Sequence, residues 1–268
     1  GQAVDLLRGE TGTPVFLPFM LADEPSPGLS QSRFCPYVET LPSLVQAALG
    51  HNGFDLSRLV SPMIDFRRPD EENARSIASA LTPVLKVGWK DVSRALARGR
   101  EARRRREEAL AVSGQRALEG LRRKGEAAVV IIGHPYSALD EELNKGVPRT
   151  IAQAGLAVVP MEGLSFDPSR LRGELQNLFW ASGQRLLSAV LQVAETEGLY
   201  GVYLSHFGCG PDSFLVSYAE TIMGDKPFLV LEVDDHGSSG GYETRVEAFL
   251  DVIRKDRQAQ RPHRVDDV

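Results

Sequence analysis

Five short apolar runs punctuate the chain: "PVFLPFM" (14–20), "AAVVIIGH" (127–134), "LAVVP" (156–160), "GLYGVYLSHF" (198–207) and "KPFLVLEVD" (226–234). They are rich in Val, Ile, Leu and Phe and show no polar alternation, which is how strands buried on both faces of a parallel sheet read. Helical patterns lie between them. "TLPSLVQAALG" follows the first run, "NKGVPRTIAQAG" joins the second to the third, and "SGQRLLSAVLQVAETEG" precedes the fourth. "DSFLVSYAETIMG" follows the fourth, and "YETRVEAFLDVIRKD" comes after the fifth. Gly50, Gly198 and Gly224 stand just past the last periodic residue of their segments, a helix stop signal. Strands alternating with helices predict doubly wound α/β layers.

The stretch from Trp89 to Leu121 has no strand pattern. Its apolar marks at Val92, Leu96, Leu110, Leu118 and Leu121 predict one long helix joining two α/β lobes. The expected organisation is an N-terminal lobe with this helix over 1–122, a C-terminal lobe over 123–258 and a polar tail over 259–268. Strands ending near Phe19, His134 and Phe207 are expected to present their carboxyl ends to one cleft, as open α/β sheets do at ligand crevices.

Composition narrows the function classes. The 268 residues are 42% hydrophobic and 25% charged, with a formal net charge of −5, so a general polyanion binder is not indicated. The basic run "GREARRRREE" (99–108) is flanked by acids and reads as the solvated face of the long helix. No apolar run reaches membrane-spanning length and no secretory signal is visible, so neither a membrane nor a nucleic acid is expected as partner. Two cysteines make no disulfide framework, which favours a reducing cytoplasm. The chain starts at Gly1 without Met and reads as a processed, tagged or truncated piece.

Both cysteines occupy the same kind of corner. Cys35 in "SRFCPYVETLP" and Cys209 in "SHFGCGPDSF" each follow an apolar run and precede a proline that opens a helical pattern, Pro36 and Pro211. Proline suits the first helical positions because its missing N–H is not needed there. Each sulfur is thus expected beside a helix N-terminus, where backbone N–H groups and the helix dipole favour negative charge. Gly208 and Gly210 remove side-chain bulk on both sides of Cys209. Two unrelated buried thiols would fit the spacing as well. The residues alone therefore reach two thiol corners at sheet edges and leave a metal or iron–sulfur site open.

Other corners carry polar groups. His134 in "GHPYSALD" follows a strand and serves either a ligand or a local turn. Glu232, Asp234, Asp235 and His236 in "EVDDHGSSGGYETR" read first as a glycine-rich loop, then as a substrate contact, and last as a cation site. Trp180 in "FWASGQR" reads as a packed aromatic ahead of a helix cap. Ser205 and His206 are adjacent, so in a strand they point to opposite faces and do not form a dyad.

The blocks "FCPYVETLP", "GHPYSALDEELNKGVPR", "LFWASGQRLLSAV", "SHFGCGPDSF" and "FLVLEVDDHGSSGGYETRVEAFLDVI" resemble successive blocks of the 2-hydroxyacyl-CoA dehydratase family, in its activase-related and double-cubane-cluster branch. The resemblance spans roughly residues 10–255. It implies flavodoxin-like, Rossmann-like lobes that hold an iron–sulfur cluster, 4Fe-4S or double cubane, between them. It implies Cys35 and Cys209 as cluster ligands and suggests that the loops of Tyr136 and Trp180 face the cleft; with these, His134, Gly208, Gly210 and His236 are the candidate cleft contacts.

It further implies an electron-accepting component of an ATP-driven reductase or dehydratase system acting on CoA thioesters. The partner would be an ATP-dependent activase with its own iron–sulfur cluster, alongside a second copy or a second cluster-bearing subunit. As an enzyme it would be a lyase or reductase. The family pattern has a third cysteine upstream of "VFLPFM", and this chain has none there. The third ligand would then come from upstream of Gly1, from a partner or from a non-cysteine donor. Alternatively the chain is a non-catalytic binding or assembly module that has lost a complete cluster site.

Overall fold

The structure is a computed structural model of the chain, and it describes residues 2–8, 13–234 and 239–260. Two compact units make up the chain. The first comprises residues 1–106 and 174–182, the second residues 107–173 and 183–268. The fold is α/β with parallel strands throughout the described sheets.

In the first unit, α1 (Gln2–Arg8) precedes β1 (Val15–Phe16) and β2 (Phe19–Ala22). After α2 (Pro36–His51) come β3 (Leu59–Val60), β4 (Met63–Asp65) and α3 (Asp70–Leu81). β1 pairs with β3 and β2 with β4, both in parallel. The single strand expected over 14–20 is thus two strands. Pro18 has no N–H to give to a ladder, and the partner is interrupted by Pro62. The N–H groups of Leu17 and Phe19 still reach Val60 O and Pro62 O, each at 2.8 Å. Ile64, Ala74, Ile77, Ala78 and Val92 form the core of this unit.

The long helix expected from Trp89 is α4 (Trp89–Lys124). It passes from the first unit into the second at residues 106 and 107, upstream of the expected boundary at 122. Its basic run is spent on ion pairs: Arg100 with Glu24 and Asp70, Arg103 with Asp23, and Arg104 and Arg105 with Glu101.

The second unit holds β5 (Ala128–Gly133), α5 (Pro135–Ala138), α6 (Val147–Gln153) and β6 (Ala157–Pro160). α7 (Ala181–Glu195), β7 (Leu199–His206), α8 (Gly210–Met223), β8 (Phe228–Val233) and α9 (Ser239–Gln260) follow. The four strands lie in the order β6-β5-β7-β8, all parallel. Val129, Ile131, Tyr200, Val202, Leu204 and Leu231 form one buried face with Val147 and Ile151 of α6 and Val246, Leu250 and Ile253 of α9. The alternate residues Val130, Ile132 and Tyr203 are equally buried, and Asp212 of α8 meets Tyr203 on that face. Burial of both faces explains why these strands lack polar alternation.

The strand order places first-in-sequence β5 between β6 and β7. Chain direction across the sheet therefore reverses at the β5–β7 seam. In open α/β sheets, ligand crevices form outside the carboxyl ends of the strands at such a reversal. His134 leaves β5 there, and Phe207 to Cys209 leave β7 there.

Candidate functional site at the β5–β7 seam

The seam is built from the ends of two adjacent strands. Gly133 ends β5 opposite Leu204 of β7. A side chain at Gly133 would start 2.8 Å from Leu204 O, so only glycine lets the strands run this close to their ends. His134 then takes the N-cap position of α5 and Pro135 opens that helix. On β7, residues 206–209 form a turn closed by the Cys209 N–H to His206 O at 3.0 Å. Gly208 has φ 76° in that turn, a conformation glycine adopts without strain. Gly208 was read from sequence as making room. It does leave open space, and its positive φ is the further reason.

Cys209 is the N-cap residue of α8, with Pro211 in the first turn. Its carbonyl accepts from the Ser213 N–H and hydroxyl. One turn into the helix, Asp212 is buried with 1% exposure and receives three groups. Ser205 Oγ donates to its Oδ2 at 2.7 Å and Tyr203 Oη to its Oδ1 at 3.2 Å. His134 Nε2 lies 3.3 Å from the same Oδ1. Ser205 and Tyr203 alternate along β7 and so share its α8 face. One donor atom from each of His134, Cys209 and Asp212 falls within 4.8 Å of the others.

The charges of this cluster support one another. Burial alone would lower the His134 pKa, but the hydrogen bond to Asp212, the contact with Cys209 and their charges outweigh it and push it up to about 9. Burial would raise Asp212, but His134, Ser205 and Tyr203 together hold it below the usual carboxylate range. Burial and the Asp212 charge push the Tyr203 phenol far up, so it remains a donor. An imidazolium–carboxylate pair is the result, with the imidazolium and a helix N-terminus both beside the Cys209 sulfur.

Tyr136 orders the outer side. Its ring stacks on His134 at 5.3 Å with 3° between planes, and on His206 at 5.8 Å with 19°. Three rings from two strand ends thus form one layer over the seam. Phe207, 76% exposed, and Phe214, 66% exposed, flank Cys209 in sequence.

Cys35 occupies the matching local position in the first unit. It is the N-cap residue of α2, with Pro36 at the helix start. Phe34 N–H donates to Leu21 O, and the Glu39 N–H donates to Cys35 O. Arg33 reaches over the corner to Glu39 with Nε–Oε1 2.9 Å and Nη2–Oε2 2.5 Å. Trp180 belongs to this unit. It forms a bridge with Arg33, flanked by Arg33 N–H to Phe179 O and Ala181 N–H to Arg33 O.

The expected site residues therefore fall into two groups. Cys35 and Trp180 share the first unit. Cys209, His134, Tyr136, Gly208 and Gly210 share the second. His236 and Asp235 lie outside the described residues; Asp234 is held by its N–H to Tyr242 Oη at 2.9 Å. Asp212 and Tyr203 are site residues that sequence reasoning passed over. Asp212 was visible as an acid three residues after Cys209, but an acid in a first helical turn reads as a cap.

A family model described as "CoA enzyme activase uncharacterised domain" matches residues 1–164, more than half of the chain, and the chain belongs to that family. The match includes Cys35, His134 and Tyr136 and ends before Cys209. It bears out the activase-related part of the resemblance and names no dehydratase. No curated protein matches the chain, and no solved structure matches it. Among the described residues no helix is long and apolar enough to cross a membrane.

Proposed function

We propose that this chain is an iron–sulfur component of an activase-related CoA-enzyme system, with Cys35 and Cys209 as its thiolate ligands. The observation that carries the reading is a repeated device. Both cysteines of the chain stand at the N-cap of a long helix whose first turn contains proline. A thiolate-bound cluster is an anion, and its burial is costly unless N–H donors and dipoles surround it. Each corner offers those, and the Cys209 corner adds an imidazolium. Open space at Gly208 and Gly210 suits a bulky group beside that sulfur. The local surroundings of each sulfur thus fit such a cluster; the two thiolates supply part of the four-ligand set that a closed cluster usually takes.

When bound, the cluster supplies one-electron chemistry at low potential. The chain's own residues do the rest. Cys35 and Cys209 hold iron. Asp212 orients the His134 ring through Nε2, and His134 keeps a positive charge and an N–H beside Cys209. The resemblance points to a CoA thioester as substrate and to an ATP-dependent activase with its own cluster as electron donor. Two free thiols fit the cytoplasm. The competing reading is a binding or assembly module without a cluster, and the low cysteine count favours it. Anaerobic reconstitution with iron and sulfide separates the two: brown protein with bound iron and acid-labile sulfide supports the cluster, and colourless, iron-free protein supports the module.

A further inference from the structure

We infer that His134, Cys209 and Asp212 form a mononuclear site for a divalent transition ion of the Zn²⁺ class, and that this site does not involve Cys35. It goes beyond the cluster reading and does not depend on it. Imidazole nitrogen, thiolate and carboxylate are the donor types that such ions take in tetrahedral sites, whereas Mg²⁺ and Ca²⁺ prefer oxygen alone. Metal–ligand bonds of about 2.0–2.3 Å in a tetrahedron hold donors about 3.3–3.8 Å apart. His134 Nε2 and Asp212 Oδ1 are 3.3 Å apart, and the Cys209 sulfur, one His134 ring nitrogen and one Asp212 carboxylate oxygen lie within 4.8 Å of one another. The site closes around an ion with sub-ångström to one-ångström side-chain movement.

Charge favours the same occupant. A thiolate and a carboxylate together balance a 2+ ion, so the filled site is neutral in a largely buried place. The side chains of His134 and Asp212 are 13% and 2% exposed, and an unbalanced charge there would be costly. The supporting hydrogen bonds are already in place. Ser205 and Tyr203 hold the Asp212 carboxylate, and the Tyr136 ring fixes the His134 plane. Partners of this kind orient metal ligands. Gly208 and Gly210 beside Cys209 leave open space, since even a methyl group on either would meet nothing within 4 Å, which leaves room for a fourth ligand. Water or a substrate oxygen or sulfur would complete the tetrahedron. A cluster and the ion compete for Cys209, because both need its sulfur.

The test uses the full chain, stripped with a chelator and titrated with Co²⁺ and then Zn²⁺ in the absence of sulfide. One ion per chain is expected. The cobalt form should show strong visible bands of tetrahedral coordination and a near-ultraviolet thiolate-to-cobalt band. Cys209→Ser should lose the thiolate band. His134→Gln and Asp212→Asn should each weaken binding about 10- to 100-fold, and Cys35→Ser should bind as the unchanged chain does. Circular dichroism checks the fold of each variant. If Asp212→Asn does not fold, His134→Gln decides alone. No stoichiometric ion, unchanged affinity in the folded histidine and aspartate variants, or loss of the ion in Cys35→Ser overturns the inference. Iron and sulfide uptake after reconstitution is scored separately, so this outcome leaves the cluster reading to its own test.

Discussion

His134 and Asp212 are 78 residues apart in the chain, yet His134 Nε2 sits 3.3 Å from Asp212 Oδ1. Parallel pairing of β5 with β7 puts one residue just past the first strand and the other in the helix after the second. The reversal of strand order at this seam thus produces the pair, with Ser205 and Tyr203 fixing it from below.

The pair predicts how stability of the metal-free chain depends on pH. His134 rises from 6.5 to about 9 on folding. A group with a raised folded pKa stabilises fully below its unfolded value, and that gain is lost as pH rises through the folded value. Asp212 is lowered from 3.8, so its contribution is present above about that pH and lost as pH falls further. Urea unfolding should therefore give a plateau between about pH 4 and 6.5. Stability should then decline towards pH 9 by on the order of 3 kcal/mol. His134→Gln should flatten the alkaline limb. A profile that rises from pH 6.5 to 9 would contradict the pairing.

Gly208 is predicted to be intolerant of side chains although space around it is open. At φ 76° an L-residue is strained by about 1–2 kcal/mol. Gly208→Ala should lower stability by roughly that amount and slow or speed Cys209 alkylation as the turn shifts. Gly210→Ala lies in helical backbone and should leave stability nearly unchanged. Equal effects of the two would mean that the turn is not the constraint.

In the first unit, Asn73 ties α3 to β4. The Asp65 N–H donates to Asn73 Oδ1, and Asn73 Nδ2 donates to Asp65 O, both at 2.9 Å. Both residues are buried. Asn73→Ala leaves the buried Asp65 N–H without its acceptor, while Asp65 O keeps the Arg68 N–H at 3.0 Å, so a loss of about 1–3 kcal/mol is expected. Denaturant unfolding of the variant measures it, and a loss under about 0.5 kcal/mol would show that water replaces the amide.

The second unit was largely legible in the sequence. Its central strands β5 and β7 are buried on both faces and so appear as unbroken apolar runs, and Gly224 caps α8 as expected. The first unit was less so. β3 and β4 have two and three residues, too short for a periodicity, and Pro18 and Pro62 break the ladder. α3 was missed as well. Its inward residues include Ala74 and Ala78, which give a weak apolar stripe despite the acids Asp70, Glu71 and Glu72 at its start. The Cys209 corner was found because glycine and proline punctuate it. Asp212 was not, since only the β5–β7 pairing reveals that an acid in a helix start faces a histidine from another strand.

The central proposal is that Cys35 and Cys209 hold iron through their sulfur atoms, each at the N-terminus of its helix. The most direct measurement is iron and acid-labile sulfide per chain after anaerobic reconstitution of the unchanged chain, Cys35→Ser and Cys209→Ser. The account predicts brown protein with iron and sulfide in equal amounts, and loss of most of both in each serine variant without loss of fold. Colourless, iron-free protein from the unchanged chain, or full iron content in both serine variants, would contradict it.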